Sequence, residues 1–557
     1  MFGQQAALLS SKGQSSFAAN ALLAAWSFRL QALLVCSAGF LSVILGPDNN
    51  WDLRYYHLYA PWAYLHHRYL YDIGPAQYQG FFNPTADFLF YALTSSRLNE
   101  SPRIVAFIMG AVHGINAALI FTIASHVLRP LRRLEGLILM AVAVLMGVTG
   151  AGFVSLLGVT TNDLIGSIFV LASLLGLLKL AERAGEPANW AWPGLWLGIA
   201  CGLKYTAVVF IPGLCLIALI AAMRQKAARS RGLMVFGVAS TVGFLTAAGH
   251  HLLTLWQDFG NPVFPLFNNV FQSPYYDPVS IRDGQFLPRD FWQAVAYPWF
   301  WAQTNHGVVS ELQFRDWRGA IAYVAIVAGL LAFAAGYTRQ RHFRGGAFAQ
   351  MRGLHLVFIF VFVSFFAWEF GFSVYRYAVA LEMLTGVVTM GALIWLFTDW
   401  RLRIVISLAL LITVATTTVY PDWGRSEYGD RYVDVRVPPL PAKSVVLIAS
   451  WEPAAYFIPF AEPTAQYIGI ENNYLQLSQN NKLASEVKRL MRTPERPKFV
   501  VSVGEFDRNR LNVLLEQFDL RLSASPCQPI RSNLQVDALS LCMAKESRCA
   551  LKQSPAC

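Results

Sequence analysis

Charged residues are what this 557-residue chain has least of: 14% of its positions are Asp, Glu, Lys or Arg, against roughly 25% in soluble globular domains. Together with 55% hydrophobic residues and a mean hydropathy of +0.41, that shortage excludes a soluble globular chain. The apolar residues are grouped in runs of membrane-spanning length, which predicts a polytopic α-helical membrane protein. There is no Gly-rich phosphate loop, so no soluble nucleotide site is expected. No internal repeat and no matched pair of broken helices occurs in the two halves, which argues against an inverted-repeat transporter. No cleavable signal peptide is evident, and the first apolar run reads as a retained span. Cysteine is scarce. Cys36, Cys201 and Cys215 fall in apolar runs and read as packing residues, whereas Cys527, Cys542, Cys549 and Cys557 all lie in the polar tail and fit an oxidising compartment. We expect Cys527 to pair with Cys542; the other pairing is not legible.

The apolar runs predict about eleven spans, near residues 26–45, 104–128, 134–156, 164–180, 190–203, 205–223, 233–256, 320–337, 354–372, 374–397 and 402–420. The net charge of +11 is spread over short basic clusters between these runs, a pattern that sets orientation and does not bind nucleic acid. Lys12 and Arg29 flank the first run. The clusters are Arg129, Arg132 and Arg133; Lys179 and Arg183; Arg224, Lys226, Arg229 and Arg231; Arg339, Arg341, Arg344 and Arg352; and Arg401 and Arg403. With a cytoplasmic N-terminus, all five fall on the cytoplasmic side of a cell (inner) membrane. Loops 46–103 and 257–319 and everything after residue 421 fall outside. A transmembrane domain over 1–420 and an extracytoplasmic α/β domain over 421–557 follow, the latter with strands at 443–450 and 498–503 and amphipathic helices at 480–491 and 507–518. Gly202, Lys204 and Pro212 interrupt the run at 190–223, which predicts two short or broken helices, a feature that in membranes lines a cavity.

Residues 46–84 hold Asp48, Asp52, Arg54, His57, Arg68 and Asp72 among many Tyr, Trp and Phe side chains. An interfacial aromatic belt with solvated charges accounts for such a composition. The other outside segments nevertheless supply matching chemistry: Thr160-Thr161-Asn162-Asp163, Lys204-Tyr205, His250-His251, Tyr375-Arg376-Tyr377, Glu369 and Glu382. Plainer roles exist for each. Asp163 fits a helix cap, Lys204 a snorkelling lysine, Glu382 a partner for Arg376, and the two histidines fit packing. Taken together they predict a polar pocket open to the outside. Its carboxylates, Asp52, Asp48 and Asp163, are candidates for general-base work or for a divalent cation (Mg or Mn). Lys204 and Arg376, with Tyr205, Tyr375, Tyr56 and His57, are candidates for holding a phosphate and a sugar at lipid-headgroup depth.

On these residues the chain resembles the GT-C superfamily of integral-membrane glycosyltransferases. The resemblance rests on an acidic residue and a tyrosine after the first span (Asp52-Leu53-Arg54-Tyr55-Tyr56) and on an aromatic–Pro segment before an apolar helix (Phe81-Phe82-Asn83-Pro84). A second acidic position after the third span (Asp163) and an extracytoplasmic C-terminal domain complete it. It implies an enzyme that takes a sugar from a polyprenyl-phosphate carrier and transfers it with inversion to a glycan, lipid or protein acceptor. It also implies Asp52, or in reserve Asp48, as base or metal ligand, and Lys204 and Arg376 on the carrier phosphate. The first loop lacks the adjacent Asp-Asp or Asp-Glu pair of the common form, so a metal stays open. A transporter or flippase, and an O-antigen-type polymerase or ligase for lipid-linked glycans, are the alternatives.

Overall fold

A computed structural model of the chain describes residues 26–128, 131–182, 186–224, 229–281, 284–304, 308–334 and 352–547. Lys12, Arg129, Arg183, Lys226, Arg339, Arg341, Arg344, Cys549 and Cys557 lie outside the described residues. Eight described helices are long and apolar enough to cross a membrane: Trp26–Leu45, Pro102–Val127, Asp163–Glu182, Tyr205–Arg224, Ser230–Phe259, Arg352–Gly371, Tyr375–Leu396 and Trp400–Thr417. The remaining expected spans are helical but shorter, at Arg133–Val148, Ala191–Leu203 and Arg318–Ala334. This is a multi-pass membrane protein. Small residues let its helices approach closely, as such residues do where lipid offers no hydrophobic drive to associate. Gly194 and Gly198 lie against the backbone carbonyls of Phe236 and Ser240.

The bundle has two chemically different ends. At one, His126 meets Glu182 at 3.2 Å and Gly353 packs beside Val127 and Glu182. At the other, the segments that follow Leu45 and precede Pro102, Asp163, Tyr205 and Tyr375 come together. The chain breaks as expected around Lys204: Ala191–Leu203 stops, Lys204 is extended, and a 3₁₀ segment Tyr205–Phe210 leads into Ile211–Arg224. A π-helical turn, Leu245–Gly249, interrupts the neighbouring helix. Such breaks free carbonyls that lipid cannot satisfy. Asn83 of the first loop satisfies two of them, its Nδ2 donating to Gly202 O at 2.7 Å and Ala247 O at 2.9 Å.

The C-terminal part builds a seven-stranded sheet: β1 (Val435–Arg436), β2 (Val445–Ala449), β3 (Gln466–Gly469), β4 (Lys498–Val503), β5 (Leu520–Leu522), β6 (Gln528–Ser532) and β7 (Leu539–Glu546). The strand order is β1-β6-β7-β4-β2-β3, with β5 on β7; β2 is parallel to both β3 and β4, and β7 is antiparallel to β4. The run VVLIA of β2 is buried along its whole length, as a strand covered on both faces must be. Helices Lys482–Met491 and Arg508–Glu516 flank it, and Cys527 is disulfide-bonded to Cys542.

The first loop shares one hydrophobic core with this sheet, in which Leu53, Tyr59, Ile73 and Phe81 pack with Tyr456, Phe457, Tyr467 and Ile468. Ile73 pairs in parallel with Ile468 at the β3 edge. Arg68 grips Asp72 bidentately at 2.9 and 2.7 Å and donates to Pro463 O and Ala465 O. Asp72 in turn accepts from Tyr467 N at 2.9 Å. On its other side the loop is tied to the bundle through His250, whose ring nitrogens meet Tyr64 Oη at 2.9 Å and Thr85 Oγ1 at 2.8 Å.

Candidate active site

Trp51 and Asp52 form a short helical start after the first span, and the π-helix Leu53–His57 begins directly after Asp52. A π-turn closes after five residues rather than four, and it keeps the His57 ring near enough for its charge to act on Asp52. Asp52 Oδ2 accepts from Arg376 Nη1 at 2.6 Å. Burial pushes the Asp52 carboxyl up, but the charges of Arg376, His57 and Lys204 outweigh it and hold the group below its usual range. Arg376 also faces Glu311 at 3.9 Å and lies over the rings of Tyr377 and Trp423, at 5.5 and 5.4 Å. Its Nε has no hydrogen-bond partner among the described residues.

A second carboxylate–cation pair stands beside the first. Lys204 Nζ meets Asp163 Oδ1 at 2.6 Å and donates to Thr161 O at 2.6 Å. It lies 5.2 Å from the centre of the same Tyr377 ring. Asp163 is the first residue of its helix, not the cap. Asn162 takes the capping place in the left-handed conformation, at φ 64°, and its carbonyl accepts from Gly166 N. Asn tolerates that backbone better than most residues. Asp163 Oδ2 has no hydrogen-bond partner among the described residues. Asp52, Asp163, Lys204 and Arg376, from four separate segments, therefore converge.

Sequence reasoning passed over two residues that belong here. Asp87, within the aromatic–Pro segment, accepts from Asn162 Nδ2 at 2.5 Å and lies 2.7 Å from His57 Nδ1. His57 Nε2 is buried with no hydrogen-bond partner among the described residues. Tyr377 was named only as a neighbour of Arg376, yet it is the ring both cations share. The signal for it is the 3₁₀ turn Tyr375–Ala378: at three residues per turn, consecutive side chains point to three different sides.

Other expected residues sit elsewhere. Tyr375 points away from the cations; it stacks on Phe314 at 4.0 Å and donates a hydrogen bond to Glu382. Glu382 does not pair with Arg376. It accepts from the backbone amides of Gly152 and Phe153, both at 2.9 Å, and the absence of a Cβ at Gly150 and Gly152 leaves room for its carboxylate. Asp48 is only 1% exposed. Its oxygens accept from Asn50 N and Nδ2 and from Thr160 N and Oγ1, at 2.7–3.0 Å. The Tyr56 ring lies tilted against His57, with centroids 4.1 Å apart, and Tyr205 Oη is buried without a hydrogen-bond partner among the described residues.

The donor set does not fit a divalent cation. Asp48 is spent on backbone, amide and hydroxyl donors, and Asp52 and Asp163 each already give one oxygen to a cation at 2.6 Å. Among the described residues no group of three or more His, Cys, Asp or Glu side chains gathers at metal-binding distance.

Fold and site together define a multi-pass membrane protein with a helical bundle and a C-terminal domain containing strands. Residues 88–250 match the sequence model of the family described as dolichyl-phosphate-mannose-protein mannosyltransferase, and on that segment the chain resembles the GT-C membrane glycosyltransferases. The matched segment carries Asp163 and Lys204 but covers well under half of the chain; Asp52 and Arg376 lie outside it. Among solved structures, the apo form of the oligosaccharyltransferase of Archaeoglobus fulgidus is 13% identical, over 87% of this chain and 71% of that one, with a TM-score of 0.43. A structure of the same enzyme with Zn and sulfate is 13% identical over 86% and 69%, TM-score 0.40. A structure of AglB from that organism in complex with an inhibitory peptide and a dolichol-phosphate is 12% identical over 87% and 70%, TM-score 0.40. No curated protein matches the chain.

Proposed function

We propose that this protein is an inverting glycosyltransferase that moves a sugar from a polyprenyl-phosphate carrier to an acceptor on the extracytoplasmic side. The observation that carries the reading is the pair of ion pairs, Asp52–Arg376 and Asp163–Lys204, whose two cations both lie over the Tyr377 ring at one end of the bundle. At the far end, where His126, Glu182 and Gly353 meet, the described basic residue Arg352 opens the helix that carries Gly353, and the positive-inside rule reads that end as cytoplasmic.

In this scheme the carrier phosphate docks on donors that the resting site has not used. Lysine offers three N–H donors and arginine five; Lys204 engages two oxygens, and Arg376 keeps Nε uncommitted. As the glycosidic C–O bond breaks, negative charge returns to the phosphate, and Lys204 and Arg376 stabilise it in a site shielded from water. The acceptor hydroxyl attacks the anomeric carbon from the opposite face, and its proton passes to Asp52. A depressed carboxylate is ionised when the hydroxyl arrives, so the base needs no prior deprotonation. Asp48 orders the loop by fixing the Thr160 turn, and Asp87 orients His57.

The test is transfer from polyprenyl-phosphate sugars in membranes holding Asp52→Asn protein at the wild-type level. Loss of transfer supports the reading; full activity removes it. Orientation is tested by a single cysteine at exposed Val513, which a membrane-impermeant maleimide should label from outside intact cells.

A further inference from the structure

The parallel strands of the C-terminal sheet direct their carboxyl ends toward the first loop, where a group of side chains takes no part in the scheme above. The chain passes from β2 to β3, then crosses back over β2 to β4. In open α/β sheets, ligands bind outside the carboxyl ends of the strands where the strand order reverses in this way. Here β2 runs out into Ser450-Trp451-Glu452, and the 3₁₀ turn that follows, Ala455–Phe460, packs on the π-helix Leu53–His57.

Two indoles stand open at this junction: Trp51 is 45% exposed and Trp451 54%. Trp51 lies 6.3 Å from Tyr55 and 5.9 Å from the Arg54 guanidinium. That guanidinium makes no hydrogen bond or ion pair among the described residues, and its Nε is buried. Glu452 follows the carboxyl end of β2, and Asp537 lies at the carboxyl end of β4, whose last residue Val503 pairs with Leu539; burial lowers the Arg54 pKa, and the carboxylates of Glu452 and Asp537 oppose it. A half-buried arginine, two carboxylates without an ion pair among the described residues and two exposed indoles thus lie where the strand ends adjoin the first loop.

We propose that this junction is the acceptor subsite and that the acceptor is a saccharide. Trp51 and Trp451 stack on the apolar faces of its rings, while Arg54, Glu452 and Asp537 bond its hydroxyls. This rests on the transferase reading and names the acceptor class for it. Aromatic faces carry the C–H surface of a pyranose, and donors and acceptors placed side by side match hydroxyls, which are both. A peptide adding as a strand finds the near β3 edge already paired with Ile73. A strongly anionic acceptor meets two carboxylates against one arginine.

The test uses the full-length protein in nanodiscs, fluorescently tagged, on an array printed with bacterial cell-surface oligosaccharides and with peptides. Wild type and the distant surface variant Val513→Ala should retain the same oligosaccharides. Trp451→Ala and Glu452→Gln should each lose at least tenfold in apparent affinity, with unchanged melting temperatures. Retention by both variants, capture of peptides alone, or no oligosaccharide bound overturns the proposal. The array needs neither donor nor turnover, so it fails or succeeds independently of the Asp52→Asn transfer assay.

Discussion

Arg376 Nη1 donates to Asp52 Oδ2 at 2.6 Å across a sequence separation of 324. The bond joins the first loop to the turn that opens helix Tyr375–Leu396, so the candidate base is held by a late-made helix of the bundle, followed only by Trp400–Thr417 among the described spanning helices. A carboxylate fixed in this way is aimed but not neutralised, because its second oxygen remains for an acceptor hydroxyl. Asp52→Asn keeps the shape and a hydrogen bond while removing the proton acceptor. Transfer should fall by about 10²–10⁴-fold, measured in membranes with equal protein.

The same pair fixes the pH response. Burial raises the Asp52 carboxyl, and Arg376 is the largest of the charges that bring it below its ordinary value. The ionised base is therefore fully populated above the ordinary carboxylate range, and the rate should be level from pH 8 down to about 5. The stabilisation linked to this group is likewise present above its unfolded value and goes only as pH falls through the lowered one. Arg376→Gln leaves the burial and removes the charge, so the carboxyl rises. Residual activity in that variant should decline as pH falls through mildly acidic values. A pH profile of the same shape as wild type would count against Asp52 as the base.

Lys204 and Asp163 form a pair in which the lysine is 18% and the aspartate 2% exposed on the side chain. Removing the cation alone leaves Asp163 buried and uncompensated, a loss of about 3–5 kcal/mol for well-buried pairs. Lys204→Ala should therefore lower the melting temperature and also raise the KM for the polyprenyl-phosphate sugar. In Asp163→Asn/Lys204→Met most of the stability should return, since no lone charge remains, but the donor KM should stay high. Recovery of both would make the lysine structural only.

How far the sequence reveals this site depends on whether a contact is local. The spans, the break at Lys204 and the pairing of Cys527 with Cys542 were legible, because hydropathy, a Gly-Leu-Lys interruption and short cysteine spacing are local signals. The gathering of Asp52, Asp163, Lys204 and Arg376 was legible only as membership of one membrane face. Tyr375 was misdirected for a physical reason: neighbouring residues in a 3₁₀ turn look alike in sequence yet face different sides. Asp87 stayed hidden because nothing near it in the chain is polar enough to mark it; its partners, His57 and Asn162, are 30 and 75 residues away. The role of Asp48 turned on Thr160, 112 residues distant, which no pattern in the first loop announces.

Tyr375 and Tyr377 give a paired test of that turn. Tyr377 lies under both cations, at 5.2 Å from Lys204 Nζ and 5.5 Å from the Arg376 guanidinium, where an aromatic face steadies a positive charge by about 0.5–2 kcal/mol. Tyr377→Leu should let the two cations spread and raise the donor KM by about 2- to 30-fold on that scale, with the melting temperature changed little. Tyr375→Phe removes the hydroxyl that Glu382 accepts from, while the amides of Gly152 and Phe153 still hold that carboxylate. It should cost about 1–3 kcal/mol of stability and leave the donor KM alone. Kinetics and melting curves for the two variants, measured together, should therefore move in opposite columns. A donor KM that responds to Tyr375 and not to Tyr377 would place the carrier phosphate on the other side of the turn, beside Glu382, where Tyr375 Oη also reaches Asp316 at 3.5 Å and Asp316 pairs with Arg318 at 2.7 Å.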